Sequence, residues 1–424
     1  MRAPSWWPNR GLWRHREFLR LWSAQIVSAF GSRITRTALP VLAVVVLDQG
    51  EGALGALAAL QLGPMIAVAL IAGGIVDRGS KRRIMVLADL ARAALVASLP
   101  IAAWLGGLTM VHVDLVAAGV GACTSLFRIA DGAFLPAIVG VDHIAEGNAK
   151  LESTEAAAEI AGPSAAGALI GVLGAPLAVL IDAATYLWSA AFLGAITTRE
   201  TVAPRTTQTS FRADLVVGVR AIFGPQILRR LVLAEMFMSV TWGFFAALYA
   251  LFCLRELAMS TTTFGVIVSV GGIGALLGAW IARQLPARWG VGWTLVLATV
   301  LAAAGNFFIP AAGSFGPTIG IAMLVAQQLT SDGAMVMFTI HAATMRQTLL
   351  PREQLGRANA AVLACNVSVV LAAALGAGAI GELVGTRTSM IIGPAVGLLA
   401  PIMLLPLRGM REIPKPTPEP ERDP

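Results

Sequence analysis

The chain contains twelve apolar segments, each long enough to cross a lipid bilayer as one helix. A spanning helix needs about 20 mostly apolar residues. Strands of a membrane barrel are about ten residues long and alternate in polarity, which these segments do not do. In lipid, every backbone polar group must find its partner within the protein, so the segments are predicted to be helices. Their approximate bounds are 20–47, 54–76, 84–105, 113–138, 154–174, 176–197, 228–252, 262–284, 291–311, 315–344, 358–381 and 387–407.

The composition excludes the other broad classes of protein. Of the 424 residues, 57% are hydrophobic and 13% are charged, against about 25% charged residues in an average soluble domain. A soluble fold of this composition would expose large apolar patches, and disorder requires the opposite composition. The three cysteines lie in apolar segments, which does not fit a disulfide framework. The chain is predicted to be an all-α polytopic membrane protein.

The basic residues are distributed unequally between alternate loops. With the N-terminus inside, 25 of the 31 Lys and Arg residues fall on the inner side and two fall outside. Cytoplasmic loops carry this excess, so both termini are predicted to be cytoplasmic. No basic stripe is interleaved with aromatic residues, so the net charge of +7 does not indicate nucleic-acid binding.

The polar stretches divide the chain into five predicted parts. The first 17 residues are basic and aromatic and lack the apolar core of a signal peptide, so they are predicted to lie at the membrane interface. The tail is rich in Pro and Glu and is predicted to be disordered. The parts are an interfacial segment at 1–17, a six-helix bundle at 18–197, a cytoplasmic central loop at 198–227, a second six-helix bundle at 228–407 and a cytoplasmic tail at 408–424.

Two inner loops resemble each other, which indicates an internal duplication. Val139–Ala149 reads VGVDHIAEGNA and Leu350–Ala360 reads LPREQLGRANA, at an offset of 211 residues without a gap. A weaker match between Gly73–Arg78 and Gly278–Arg283 is equally well explained by the basic turns that cytoplasmic loops share. The sequence therefore predicts two pseudo-symmetric bundles of six helices, a known plan of transporters.

The loop at 73–83, GGIVDRGSKRR, resembles the G-x-x-x-D-R-x-G-R-K/R signature of the major facilitator superfamily. Ser80 departs from the signature, and the corresponding loop of the second half has Ala282 in place of the Asp. The resemblance implies that Asp77 faces the positive N-terminus of a helix from the other half and closes the cytoplasmic side. The alternative is a short basic turn. The residues assigned to this cytoplasmic gate are Gly73, Asp77, Arg78, Lys81 and Arg82, with Arg128 and Asp131 as further members.

Longer stretches resemble one branch of that superfamily, the bacterial exporters that include enterobactin and macrolide efflux proteins. They are FLRLWSAQIVSAFGSRITRTALPVL from Phe18, SFRADLVVGVRAIFGPQILRRL and LPREQLGRAN. The resemblance implies a monomer in the bacterial inner membrane. Gly162, Pro163 and Gly167 resemble a helix-bend motif associated with antiporters, although ordinary helix packing explains them equally well.

Six charged residues fall deep within predicted spans, where each costs about 2.5–3.5 kcal/mol on insertion scales. In the superfamily plan, helices 1, 4, 7 and 10 line the central cavity. These helices carry the six charged residues, which are Arg33, Arg36, Arg128, Asp131, Glu235 and Asp332. Arg33 and Arg36 are predicted to face an anionic group of the substrate or a carboxylate within the membrane. Glu235 and Asp332 are candidates for proton coupling. Trp242 and Gln328 are candidate substrate contacts, with helix packing as the alternative role.

No motif in the sequence indicates an enzyme or a cofactor. The chain has no G-x-x-x-x-G-K-S/T loop, no H-E-x-x-H and no paired Cys/His spacing, so no metal or cofactor is expected. The prediction is a secondary active transporter that works by alternating access. It is expected to export a small amphipathic molecule, such as a drug, antibiotic or siderophore, with protons and membrane lipids as its other partners. The alternatives are a lipid or lysophospholipid transporter of the same fold, a non-transporting receptor-like relative and, much less favoured, a membrane-embedded enzyme.

Overall fold

A computed structural model describes residues 11–198 and 211–413 of the chain. Side chains at 65, 66, 69–78 and 211–215 are not described. The predicted tail and parts of the predicted interfacial segment and central loop therefore lie outside the described residues. All regular elements of the described part are helical.

The first half of the chain forms six long helices. A π-helical turn, Leu42–Val46, extends the first helix, and 3₁₀ turns occur at Leu12–Arg14 and Val141–His143. The helices are α1 (Arg16–Val41), α2 (Glu51–Arg78), α3 (Lys81–Trp104), α4 (Met110–Val139), α5 (Ile144–Leu173) and α6 (Ala175–Gly194).

The second half contains more helices because several of its spans are interrupted. π-helical turns at Phe252–Glu256 and Gln328–Asp332 follow α8 and α12, and a 3₁₀ turn, Leu405–Leu407, follows α16. The helices are α7 (Phe211–Phe223), α8 (Gln226–Leu251), α9 (Thr261–Ala282), α10 (Leu285–Gly305), α11 (Phe308–Ala312), α12 (Pro317–Gln327), α13 (Gly333–Leu349), α14 (Arg352–Val384), α15 (Thr386–Gly397) and α16 (Leu399–Leu404).

Within the described residues, eleven helical stretches are long and apolar enough to cross a membrane. The 28-residue α2 corresponds to the remaining predicted span. The described fold therefore confirms the prediction of an all-α polytopic membrane protein. Helix α7 is additional, since it lies in the stretch predicted as the central loop and packs against α14, where Gly218 approaches the carbonyl of Arg357.

The two halves share local distortions at a nearly constant spacing. Non-glycine residues with positive φ occur at Asp48 (50°) and Ala258 (49°), next to the two corresponding π-helical turns. Gly174 (φ 80°) and Gly385 (φ 86°) follow the ends of α5 and α14 and are 211 residues apart. Glycine suits these positions because a left-handed backbone there crowds a Cβ. The matching distortions are those expected of a duplicated six-helix unit.

The described residues form two compact units. In the first, which contains described residues 11–49, 60–198 and 258–269, α1 packs on α5 and α6, and α3 packs on α4 and α6. Its core includes Phe18, Leu21 and Phe134. His15 caps α1, accepting a 3.0 Å hydrogen bond at Nδ1 from the Phe18 N–H. Burial lowers the pKa of His15, which keeps this nitrogen available as an acceptor.

The second unit contains described residues 50–59, 211–257 and 270–413. Helix α8 packs on α14 and α15, and α10 packs on α13. Its core includes Leu231, Phe338 and Met345. Small residues permit close helix contacts, because a Cβ on Gly278 would overlap the Gly333 carbonyl oxygen.

Candidate functional site

The second unit encloses a cavity of about 280 Å³ between α8, α10 and the junction of α12 with α13. Its wall combines aromatic, thioether, hydroxyl, amide and carboxylate groups. Few polar groups in a largely apolar cleft are typical of sites for small organic molecules. The lining residues are Met238, Ser239, Thr241, Trp242, Phe245, Ala302, Asn306, Gln327, Ser331, Asp332 and Met335.

Three aromatic rings stack along α8 beside this cavity. The ring centroids of Trp242 and Phe245 are 5.2 Å apart, and those of Phe245 and Tyr249 are 4.3 Å apart, with interplanar angles of 19° and 24°. Their spacing of three and four residues places them on one helix face. Tyr249 is buried and Trp242 is 51% exposed, so the stack ends in an accessible indole at the cavity.

The polar wall of the cavity is organised by hydrogen bonds between α10 and the α12–α13 junction. The Asn306 side chain donates to Ser331 Oγ (2.6 Å) and to the Ala302 carbonyl (2.8 Å). Gln327 Nε2 donates to Asn306 Oδ1 (3.4 Å). These bonds hold the π-helical turn Gln328–Asp332, and such turns often occur at functional sites. Asp332 ends this turn and lies on the cavity wall.

The π-helical turn changes which glutamine lines the cavity. Gln328, the predicted substrate contact, is absent from the lining, although both Gln327 and Gln328 are buried. A Cβ on Gly271 of α9 would lie 3.2 Å from Gln328 Nε2 and would overlap Asp332 Oδ2. Gln327 lines the cavity instead. Gln327, the last residue of α12, therefore has the lining position that was expected for Gln328, the first residue of the π-helical turn.

Glu235 is not part of the cavity lining. Its carboxylate forms an ion pair with Arg346 of α13 and accepts a 3.2 Å hydrogen bond from Asn366 Nδ2 of α14. Glu235 and Arg346 are 6% and 9% exposed. The structure thus separates the two candidate proton carriers, with Asp332 on the cavity wall and Glu235 in a contact between three helices.

Arg33 and Arg36 of α1 face two carboxylates of α5. Arg33 Nη2 lies 2.8 Å from oxygens of both Glu155 and Glu159, and Arg36 Nη2 lies 2.5 Å from Glu159. Glycine is required at position 162, because a Cβ there would lie 2.6 Å from Arg33 Cγ. The sequence predicted that Arg33 and Arg36 face either an anionic group of the substrate or a carboxylate within the membrane. The described residues contain the carboxylate partners, which are Glu155 and Glu159.

The helix-bend residues pack against the start of α9 within the first unit. A Cβ on Gly265 would overlap the Pro163 carbonyl oxygen and would lie 2.9 Å from Gly167 Cα. The Ser164 N–H and hydroxyl donate to Ser269 Oγ at 2.8 and 2.7 Å. Close helix packing is therefore one role that these residues have.

The residues assigned to the cytoplasmic gate are only partly described. The backbone of α2 ends at Arg78, but the side chains of Gly73, Asp77 and Arg78 lie outside the described residues. Lys81 and Arg82 begin α3, and Arg82 donates to the Ile196 carbonyl beyond the end of α6.

The other two residues assigned to that gate lie on α4. Asp131 accepts a 2.6 Å hydrogen bond from Gln25 Nε2 of α1, and Arg128 is exposed. The described contacts of Arg82 and Asp131 therefore join helices of the first unit. The assignment of these residues to a gate stays a prediction.

Sequence reasoning missed a buried ion pair in the first unit. Asp89 is fully buried and pairs with Arg92 one turn later on α3. The Arg92 guanidinium lies 4.6 Å from the Phe127 ring centroid and 4.4 Å from that of Tyr186. Opposite charges three residues apart within an apolar helix were the available signal. The packing of Arg92 between two aromatic rings indicates that this ion pair has a structural role.

Comparison with known proteins agrees with this architecture. Among solved structures, the nucleoside transporter NupG aligns with a TM-score of 0.75 at 13% identity, covering 92% of this chain and 98% of that chain. A bacterial homologue of the iron transporter ferroportin in the inward-facing state aligns with a TM-score of 0.72 at 17% identity, covering 93% and 98%. At these identities the likeness shows the fold alone.

Sequence relatives include the multidrug efflux pump Tap of Mycolicibacterium fortuitum, 28% identical over 270 residues. That alignment covers 60% of this chain and spans 64% of the length of Tap. The uncharacterized MFS-type transporter YvqJ of Bacillus subtilis (strain 168) is 23% identical over 403 residues, covering 93% of this chain and 92% of the relative.

The family match over most of the chain defines the class as a multi-pass membrane transporter of the major facilitator superfamily. Residues 8–419 match the family described as transmembrane secretion effector, MFS_3, and the chain belongs to that family. The resemblance to the major facilitator superfamily seen in the sequence is thereby confirmed, and the protein is a membrane transporter of this type.

Proposed function

We propose that this protein exports a small amphipathic organic molecule in exchange for protons, by alternating access across the bacterial inner membrane. The observation that carries the proposal is the cavity that contains both the exposed indole of Trp242 and the carboxylate of Asp332. Both residues lie near the middle of their spans, Gln226–Glu256 and Pro317–Leu349. An ionisable residue at this depth indicates a functional site.

The cavity wall fits a flat organic substrate that also carries a polar group. The Trp242 face offers stacking, and the nearby Met238 and Met335 are flexible, polarizable side chains that adapt to different shapes. Asn306 and Ser331 supply hydrogen-bonding groups at the same wall. Tap, a relative described as a multidrug efflux pump, supports export as the direction of transport.

Asp332 is the preferred proton carrier of the two candidates. Asp332 lines the same cavity as Trp242, so this candidate is next to the proposed substrate. Proton exchange at Glu235 requires its buried ion pair with Arg346 to break, which leaves an uncompensated charge in the helix contact.

Lipid or lysophospholipid transport is less well supported. That alternative needs cationic groups available to a phosphate, and Arg33 and Arg36 were its candidates. Both guanidinium groups are paired with Glu155 and Glu159. The charges of these two arginines and two glutamates therefore balance. This cluster of four residues has no excess positive charge that would favour a phosphate.

The test is a substrate screen in proteoliposomes that contain the purified protein. An imposed pH gradient is expected to drive accumulation of an aromatic amphipathic compound, and collapse of the gradient with a protonophore is expected to abolish it. Empty liposomes provide the control for passive partition. Accumulation that is unaffected by the protonophore would contradict proton coupling, and no accumulation of any compound would contradict the proposed substrate class.

A further inference from the structure

A second concave site lies on α10, away from the cavity with Trp242 and Asp332. It is a groove of about 380 Å³ lined only by apolar and aromatic side chains. The lining residues from Trp293 to Val300 follow the spacing of one helix face, and Trp289 precedes the break in α10 at Gly290. Two of them, Trp289 and Trp293, are 57% and 48% exposed. The lining residues are Trp289, Trp293, Val296, Leu297 and Val300.

The start of α10 and the end of the described chain are fixed beside each other at this groove. Gly290 has φ 80° and ψ 163°, which breaks the helix one residue after Trp289. The freed N–H of Val291 donates to the Arg411 carbonyl at 3.3 Å, and that of Gly292 donates to the Met410 carbonyl at 2.9 Å. The backbone of residues 410 and 411 therefore runs along the first turn of α10 after the break at Gly290.

This arrangement places three exposed arginines at one end of the groove. Arg288 precedes Trp289, and Arg408 and Arg411 belong to the segment bonded to α10. None of the three forms an ion pair with a described residue. Glu412 is the acidic neighbour in the same segment, so the excess charge here is positive.

We propose that this groove binds an anionic phospholipid. The phosphate contacts the guanidinium groups of Arg288, Arg408 and Arg411, and an acyl chain lies along α10 over Trp289 and Trp293. Basic clusters beside a span attract anionic headgroups, and tryptophan is the residue that favours the membrane–water interface. The positive-inside rule assigns this end of the groove to the cytoplasmic leaflet. The site is independent of the proposed transport substrate.

Native mass spectrometry of the detergent-purified protein tests the headgroup contact. Phosphatidylglycerol and phosphatidylcholine with identical acyl chains are titrated, and the wild type is expected to retain the anionic lipid preferentially. The triple variant R288Q/R408Q/R411Q is expected to lose about 100-fold in phosphatidylglycerol affinity, since each of the three basic groups contributes roughly fivefold and these factors multiply. The matched control R14Q/R83Q/R352Q changes the same net charge at exposed arginines elsewhere and is expected to bind as the wild type.

A second variant tests the acyl-chain contact without changing any charge. Val300→Trp fills the groove and is expected to weaken phosphatidylglycerol binding several-fold while the thermal unfolding midpoint stays that of the wild type. If the triple arginine variant fails to fold, Val300→Trp and the single variant R408Q carry the test. The proposal would be overturned if the wild type bound the two lipids equally. It would also be overturned if both triple arginine variants lost the same affinity, or if Val300→Trp bound phosphatidylglycerol as the wild type does.

Discussion

Asp332 and Trp242 occupy one cavity although they come from separate membrane spans. One residue offers a carboxylate and the other an exposed ring, and the wall between them carries amide and hydroxyl groups. This combination is the basis for the proposal that a single site binds an amphipathic molecule and also exchanges a proton. Three residue-scale predictions follow from the described contacts.

Asp332→Asn is expected to abolish transport driven by a pH gradient, because an amide cannot bind and release the coupling proton. Exchange of labelled for unlabelled substrate at equal pH is expected to remain, since the cavity keeps its shape. Both are measured in proteoliposomes. Asp114→Asn, a carboxylate of α4 outside the cavity lining, is the control and is expected to transport normally. Gradient-driven transport that persists in Asp332→Asn would contradict the assignment.

Trp242→Ala is expected to weaken substrate binding about tenfold, because stacking of aromatic groups contributes roughly 0.5–1.5 kcal/mol beyond the area buried. Trp242→Phe is expected to retain most of the affinity, since it preserves a ring next to Phe245. Equilibrium binding in detergent with a fluorescent aromatic compound is the measurement. Equal losses in both variants would count against stacking as the reason.

Glu235→Gln is expected to lower the thermal unfolding midpoint strongly, because it leaves the buried Arg346 without its ion pair, and breaking such pairs costs about 3–5 kcal/mol. The double variant Glu235→Gln/Arg346→Gln is expected to recover part of the loss, since no uncompensated charge remains. Thermal unfolding of both single variants and the double variant in detergent measures the coupling between the two positions. A fully additive double variant would argue against the ion pair.

At the scale of helices, glycine positions determine how closely neighbouring elements pack. Gly278 of α9 lies against the backbone of Gly333 at the start of α13, where a carbonyl cannot move aside for a methyl group. A Cβ on Gly376 of α14 would have no described neighbour within 4 Å. The two positions form a matched pair for testing helix contacts.

Gly278→Ala is expected to lower the thermal unfolding midpoint, because α9 must move away from α13. Gly376→Ala is expected to leave it unchanged or raise it slightly, since alanine is the better helix former by about 1 kcal/mol. Unfolding followed by intrinsic fluorescence in detergent gives both values. Equal midpoints for the two variants would show that the α9–α13 contact tolerates separation.

At the scale of the whole molecule, the distribution of basic residues predicts that both termini are cytoplasmic. In a variant without the three native cysteines, a cysteine at Ser260, between α8 and α9, is expected to react in intact cells with a maleimide that cannot cross the membrane. A cysteine at Glu412 is expected to react only after permeabilisation. The reverse labelling pattern would overturn the predicted orientation.

The duplication could be recognised in the sequence of one pair of loops, but it could not be followed through the membrane spans. The loops at 139–149 and 350–360 share an offset of 211 residues, and the same offset relates Gly174 to Gly385. The π-helical turns Leu42–Val46 and Phe252–Glu256 have no comparable sequence signal. Apolar residues replace one another freely in lipid, so repeats in the spans survive in backbone geometry while their sequences diverge.

The sequence by itself determined the membrane class, the helical fold and the superfamily. The first two depend on local composition, because a bilayer requires about 20 apolar residues per span and excludes unpaired backbone groups. The superfamily was indicated by the motif of the loop at 73–83. The sequence also identified Trp242 and Asp332 as candidates. Tertiary structure alone decided that Arg33 faces Glu155 and that Gln327 lines the cavity in place of Gln328. Those outcomes depend on the rotation of each helix and on a π-helical turn, which contacts between distant segments fix and hydropathy does not encode.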